Sequence, residues 1–93
     1  MERITEKILR GTVERLNKLE DKPVEPWSKS EDGSYKANIG NYHLDMAYGG
    51  VQLVQHVTLG GGIRVISSGG YMPKRELYYQ IHTMFNFIFN QDR

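Results

Sequence analysis

Apolar residues recur in two rhythms along this chain, and the change of rhythm predicts its layout. From Glu2 to about Glu20, Ile4, Ile8, Leu9, Leu16 and Leu19 fall at helical spacing, with Val13 widening the apolar side. Glu2 and Thr5 suit the first turn and Lys18 suits the last. Gly11 lies inside this helix and weakens it by about 1 kcal/mol relative to Ala. The apolar side is broader than a coiled-coil seam, so the helix either packs on its own sheet alone or also meets a second copy. Residues 21–34, DKPVEPWSKSEDGS, break the rhythm with two prolines and a polar cluster, and they read as a linker. Trp27, the only tryptophan, is expected to plug the edge of the core and pin that linker; the other reading is an exposed partner-binding residue.

Period-two patterning follows over residues 35–68. Tyr35–Ile39 is expected as a short edge strand. Tyr42, Leu44, Met46 and Tyr48 alternate with His43, Asp45 and Ala47. Gly49-Gly50 is expected to make a hairpin turn, because such turns need positive φ. Val51–Thr58 is the next strand, Gly60–Gly62 turns the chain again, and Ile63–Ser67 is the last strand. Short connections favour pairing in sequence order, so the strands should form an antiparallel meander. Helical rhythm returns from Pro73 to about Asn90, with proline suited to a first helical position. Leu77, Ile81, Met84, Phe85 and Ile88 form its core stripe; Tyr79, His82 and Asn86 fall opposite, and Phe87 also lies outside. The fold class is α+β: one domain over 1–93, with an N-terminal helix, a three- to four-stranded antiparallel sheet and a C-terminal helix, both helices on one face.

Size and charge narrow the function. Ninety-three residues bury a modest core, so self-association into a homo-oligomer would cover apolar surface that one copy leaves bare. The net charge of +1 argues against a general nucleic-acid binder, whose affinity comes largely from neutralised phosphates. With no cysteine there are no disulfides and no thiolate metal sites. The charged N-terminus is unlike a signal peptide and no apolar run approaches membrane length, so a cytoplasmic location is expected.

The charges are also unevenly placed. No acid occurs from Met46 to Arg75, and within that span GGGIRVISSGGYMPKR holds five glycines and three cations. Backbone N–H groups at a helix start beside Lys74 and Arg75 suit an anion. The candidate ligand set is Arg64, Gly69, Gly70, Tyr71, Lys74, Arg75 and Tyr79: cations for phosphate, glycine backbone for hydrogen bonds, Tyr71 or Tyr79 for stacking. Tyr48 and Tyr78 border the same turns, with Tyr78 best explained by the core. The plainer alternatives are solvated charges at Lys74 and Arg75, which oppose the helix dipole there, and an Asp45–Arg64 pair across the sheet. Neither glycine cluster fits a P-loop or a dinucleotide fingerprint. His43, His56 and His82 are isolated in sequence and lack metal-ligand spacing, so no metal, cofactor or catalytic set is expected.

The order YGGVQLV, GGGIRV, GGYMPKRELYYQIHTMF resembles small, mostly uncharacterised bacteriophage and prophage accessory proteins. Those carry a Tyr-Gly-Gly turn, a Gly-rich turn and a Gly-Tyr-x-x-Lys-Arg-Glu-Leu-Tyr helix start. The matching positions here are Tyr48, Gly49 and Gly50; Gly61 and Gly62; then Gly70, Tyr71, Lys74, Arg75, Glu76, Leu77 and Tyr78. The resemblance covers the second half of the chain. It implies a viral protein acting inside a bacterial host, in a class that often blocks host processes by stoichiometric binding. On that basis the expected function is non-enzymatic: inhibition of a host defence by sequestering a nucleotide-derived anionic signal. One alternative is direct inhibition of a host protein through Tyr79, His82, Asn86 and Phe87 on the last helix. Another is a small nucleic-acid-binding regulator.

Overall fold

A computed structural model describes residues 3–91 and shows an α+β fold. Its elements are α1 (Glu6–Leu19), β1 (Trp27–Lys29), β2 (Tyr35–Ala37), β3 (Tyr42–Ala47), β4 (Gly50–His56), β5 (Ile63–Val65) and α2 (Lys74–Gln91). Helix α1 begins later than its apolar rhythm, because Thr5 is its cap: the Ile8 N–H donates to the Thr5 hydroxyl at 3.2 Å. Ile4 therefore precedes the helix, and Glu2 lies outside the described residues.

Strands β3, β4 and β5 form an antiparallel meander, as their short connections require. The paired register sets the faces. Tyr42 and Leu44 on β3 and Val51 and Leu53 on β4 point toward the helices and join Leu9, Val13, Leu16, Leu77, Ile81 and Phe85 in one core. His43 and Asp45, with Gln52, Val54 and His56, take the other face. Both helices thus lie on one side of the sheet and touch each other, with the Arg15 guanidinium 4.9 Å from the Phe85 ring.

Three expectations need correction. The 21–34 segment is not a plain linker, because β1 within it pairs antiparallel with β2 in a separate two-stranded sheet. Asp32 and Ser34 shape the connecting turn, the Asp32 carboxylate accepting from the Ser34 N–H at 3.0 Å and from its hydroxyl at 2.7 Å. Trp27 is half-exposed, and its ring leans edge-on to His56 at 5.0 Å. The β3–β4 turn is Tyr48-Gly49, one residue earlier than the paired glycines suggested. Both turn residues have positive φ, 54° at Tyr48 and 73° at Gly49, as a two-residue hairpin turn with right-handed strand twist needs. Gly50 is needed for a different reason: a Cβ there would stand 3.0 Å from the Met72 backbone nitrogen.

Candidate functional site

That close approach at Gly50 organises the anion site. Val51 and Met72 exchange two backbone hydrogen bonds, both 2.9 Å, which stitch the entry to α2 onto the sheet beside the Tyr48-Gly49 turn. Pro73 then starts the helix, and the carbonyl of Pro73 accepts from the Glu76 and Leu77 N–H groups. Lys74 and Arg75 follow directly, next to Gly49. The segment ahead of the Thr5 cap runs along the third side. The result is a cleft of about 440 Å³ lined by Arg3, Ile4, Gly49, Pro73, Lys74 and Arg75. Among the described residues, three of the six that line it are cations and none is an acid. Cations at a helix N-terminus oppose the helix dipole, and an anion in the cleft would be favoured by both.

The structure brings together part of the sequence-derived set. Lys74 and Arg75 share the cleft; Arg64 does not. Arg64 pairs opposite Gln55, whereas Met72 bridges to Val51, four residues away along β4. That separates the Arg64 and Met72 backbones by roughly 13 Å along the strand. The Arg64 guanidinium instead donates to Gln55 Oε1 at 2.8 Å. The Asp45–Arg64 pair does not form either, since Asp45 sits opposite Gln52 on the other face.

Gly69 and Gly70 do not line the cleft. With φ of 100° and 71° they turn the loop ahead of α2. Gln80 holds that loop with both ends of its amide: its Oε1 accepts from the Ser68 N–H at 3.2 Å and its Nε2 donates to the Ser68 carbonyl at 2.9 Å.

Tyr71 is committed elsewhere. Its hydroxyl donates to Asp45 Oδ2 at 2.6 Å, and Gln52 Nε2 donates to the same oxygen at 3.0 Å. The Tyr71 bond first, and then the Gln52 bond, hold the Asp45 carboxyl below its ordinary range, while the same bond to Asp45 raises the Tyr71 phenol. The Tyr71 ring also meets Tyr48 in a T-shaped contact at 5.5 Å. Tyr48 itself is 94 % exposed.

The four α2 residues expected at a protein interface do not form one patch. At about 100° per residue, Tyr79, His82 and Asn86 share a flank, whereas Phe87 points about 80° beyond Tyr79 and about 140° from His82. Phe87 lines an apolar hollow of about 300 Å³ with Glu20, Thr83, Met84 and Ile88. His82 stacks within its own helix, 4.3 Å from the Tyr78 ring and 5.2 Å from that of Phe85.

A histidine pair lies on the other sheet face. The His43 and His56 rings stand 4.4 Å apart. His56 is buried, and neither of its ring nitrogens has a hydrogen-bond partner among the described residues. Asn41 fixes the His43 tautomer. Its amide nitrogen donates to the Pro23 and Val24 carbonyls, so its oxygen faces His43 Nδ1 at 3.1 Å and that nitrogen is the donor. Burial, and then the neighbouring His56, lower the His43 pKa. Among the described residues no group of three or more His, Asp or Glu side chains is placed to hold a metal ion. Nor is any described helix long and apolar enough to cross a membrane.

Sequence reasoning missed Arg3 and Gly49 as cleft residues. Arg3 falls within the span that the apolar rhythm assigns to the first helix, and only the path of the chain ahead of Thr5 carries it to α2. Comparisons with family models, with curated proteins and with solved structures give no match.

Proposed function

We propose that this protein is a stoichiometric binder that captures a nucleotide-derived anion in the Arg3–Lys74–Arg75 cleft and holds it unchanged. The reading rests on one observation: three cations from two distant segments line one cleft, and among the described residues no carboxylate lines it. Such a lining favours phosphate by charge and by guanidinium geometry. Its described residues offer charge, backbone and apolar surface for holding the captured molecule. Joined to the resemblance to phage accessory proteins, this points to withholding a signal made by a host defence.

Thermal denaturation with ADP-ribose and with a cyclic dinucleotide tests the proposal. A ligand bound only by the native state raises the melting temperature. At least one of the two should do so, and Lys74→Ala with Arg75→Ala should abolish the shift. No shift from either at millimolar concentration, or a shift that survives the double substitution, rejects it.

A second reading has its own observation. Tyr79, Phe87 and Phe89 are all about half-exposed or more on α2, beyond what packing on the sheet requires. Inhibition of a host protein through that helix would use them from more than one flank, so the partner would have to wrap α2. Tyr79→Ala with Phe87→Ala should then abolish inhibition in a host-cell assay while nucleotide binding persists; retained inhibition removes this reading.

A further inference from the structure

We infer that the ligand of the cleft carries a nucleobase that stacks on Tyr48, which makes nucleoside diphosphates and their derivatives the ligand class. The inference rests on the cleft being an anion site and adds the part of the ligand that the cations do not recognise.

Tyr48 is the most exposed large hydrophobic residue among the described residues, at 94 %. Its backbone adjoins the cleft, since the next residue, Gly49, is part of the cleft wall, although the Tyr48 ring does not itself line it. The ring is nevertheless not loose. Tyr71 meets it at 5.5 Å with the ring planes inclined by 66°. Tyr71 is in turn fixed by its 2.6 Å bond to Asp45, and Asp45 is held by Gln52. The chain Gln52–Asp45–Tyr71 thus steadies an aromatic ring that contributes almost nothing to the core. Tyr71 and Asp45 act as positioning residues, and Tyr48 provides the surface for stacking. A base laid on that ring would bury area that the folded chain leaves wet, and such stacking tolerates any base because each has a π-face.

Charge fixes the other half of the ligand. Arg3, Lys74 and Arg75 all line the cleft, and cationic side chains spread along it suit a chain of two phosphates better than a single one. A lone phosphate would use neither all three cations nor Tyr48. The cleft volume of about 440 Å³ falls in the range of small-molecule sites.

Calorimetric titration with ADP, with pyrophosphate and with adenosine tests the inference. ADP should bind at least about tenfold more tightly than pyrophosphate, the effect of one stacked base. Tyr48→Asn suits the left-handed turn and removes the ring; it should bring ADP down to the pyrophosphate level while leaving pyrophosphate unchanged. Tyr48→Trp should restore the preference for ADP, which a merely structural role of Tyr48 would not produce. If pyrophosphate binds and ADP binds no better, or if ADP affinity survives Tyr48→Asn, the stacking inference is overturned and the anion cleft stands. If neither pyrophosphate nor ADP binds, the cleft reading fails and takes this inference with it.

Discussion

Asn17 of α1 clamps Tyr42 of β3 by both of its backbone groups. The Asn17 amide donates to the Tyr42 carbonyl at 2.9 Å, and the Tyr42 N–H donates to Asn17 Oδ1 at 2.8 Å. The side chain imitates a neighbouring strand at the start of an edge strand. All of this is buried, with Asn17 only 1 % exposed. Asn17→Ala should therefore cost about 3 kcal/mol, because it removes two bonds and leaves a buried donor and acceptor unpaired. Urea denaturation measures the loss, and a value below about 1 kcal/mol would mean that water replaces the clamp.

Stability should fall in two steps as the solution is acidified. Burial and then His56 hold His43 below its ordinary value of 6.5, so just below that pH the unfolded chain binds more protons than the folded one. Stability is complete above 6.5 and drains as pH falls from there toward the lowered value. Asp45 follows at lower pH: its bonds from Tyr71 and Gln52 stabilise the fold above 3.8, and that contribution is lost as pH falls through its lowered value. Denaturation curves between pH 8 and pH 3 should show both losses, and His43→Gln should remove the upper one. An unchanged upper step in that variant would assign it to another group.

Removing the Tyr71 hydroxyl should release Asp45. In Tyr71→Phe the carboxyl loses the largest cause of its lowered pKa and should titrate closer to 3.8. Carboxyl NMR titration reads this directly, and an identical titration in the variant would show that the bond does not persist in solution.

Two glycine substitutions should separate backbone strain from packing. Gly61 and Gly69 have nearly equal φ, 97° and 100°. A Cβ at Gly61 would stand 2.7 Å from the Trp27 ring, whereas at Gly69 it meets open space. Gly69→Ala should cost about 1 kcal/mol from the left-handed backbone alone. Gly61→Ala should cost more and shift the fluorescence of the single tryptophan. Equal costs with unchanged emission would mean that Trp27 does not rest on this loop.

The identity of the third cation is equally testable. Arg3→Ala should weaken pyrophosphate binding by roughly tenfold, the worth of a charge-assisted contact, while Arg64→Ala should leave it within about twofold. The reverse order would restore Arg64 to the site. Affinity should also fall as salt is raised, since the cleft is open to solvent and its charges are screened.

Much of the fold was legible because its signals are local. Leu9, Leu16, Leu77 and Ile81 mark two helix faces by spacing alone, and all four are fully buried. The β3–β4 pair announced itself by alternation. β1 was not legible: Trp27-Ser28-Lys29 is too short for any period, lies among prolines and depends on pairing with β2. The turn slipped by one residue because Tyr48 takes a positive φ that a bulky side chain rarely adopts. In the site, Lys74 and Arg75 were visible as cations at a helix start. Arg64 was misplaced because register, which only the sheet decides, pairs it with Gln55. Arg3 gave no signal, since its position depends on how the chain enters α1.

The entry of Arg3 into the cleft has a practical corollary for anyone handling the molecule. Arg3 and Ile4 both stand in the wall of the hollow, so a group attached close to them falls beside the bound anion. A polyhistidine handle or acidic fusion fixed there would crowd or neutralise the three cations and mimic a loss-of-function variant. The opposite end of α2 lies about 27 Å away along the helix axis and is the safer point of attachment.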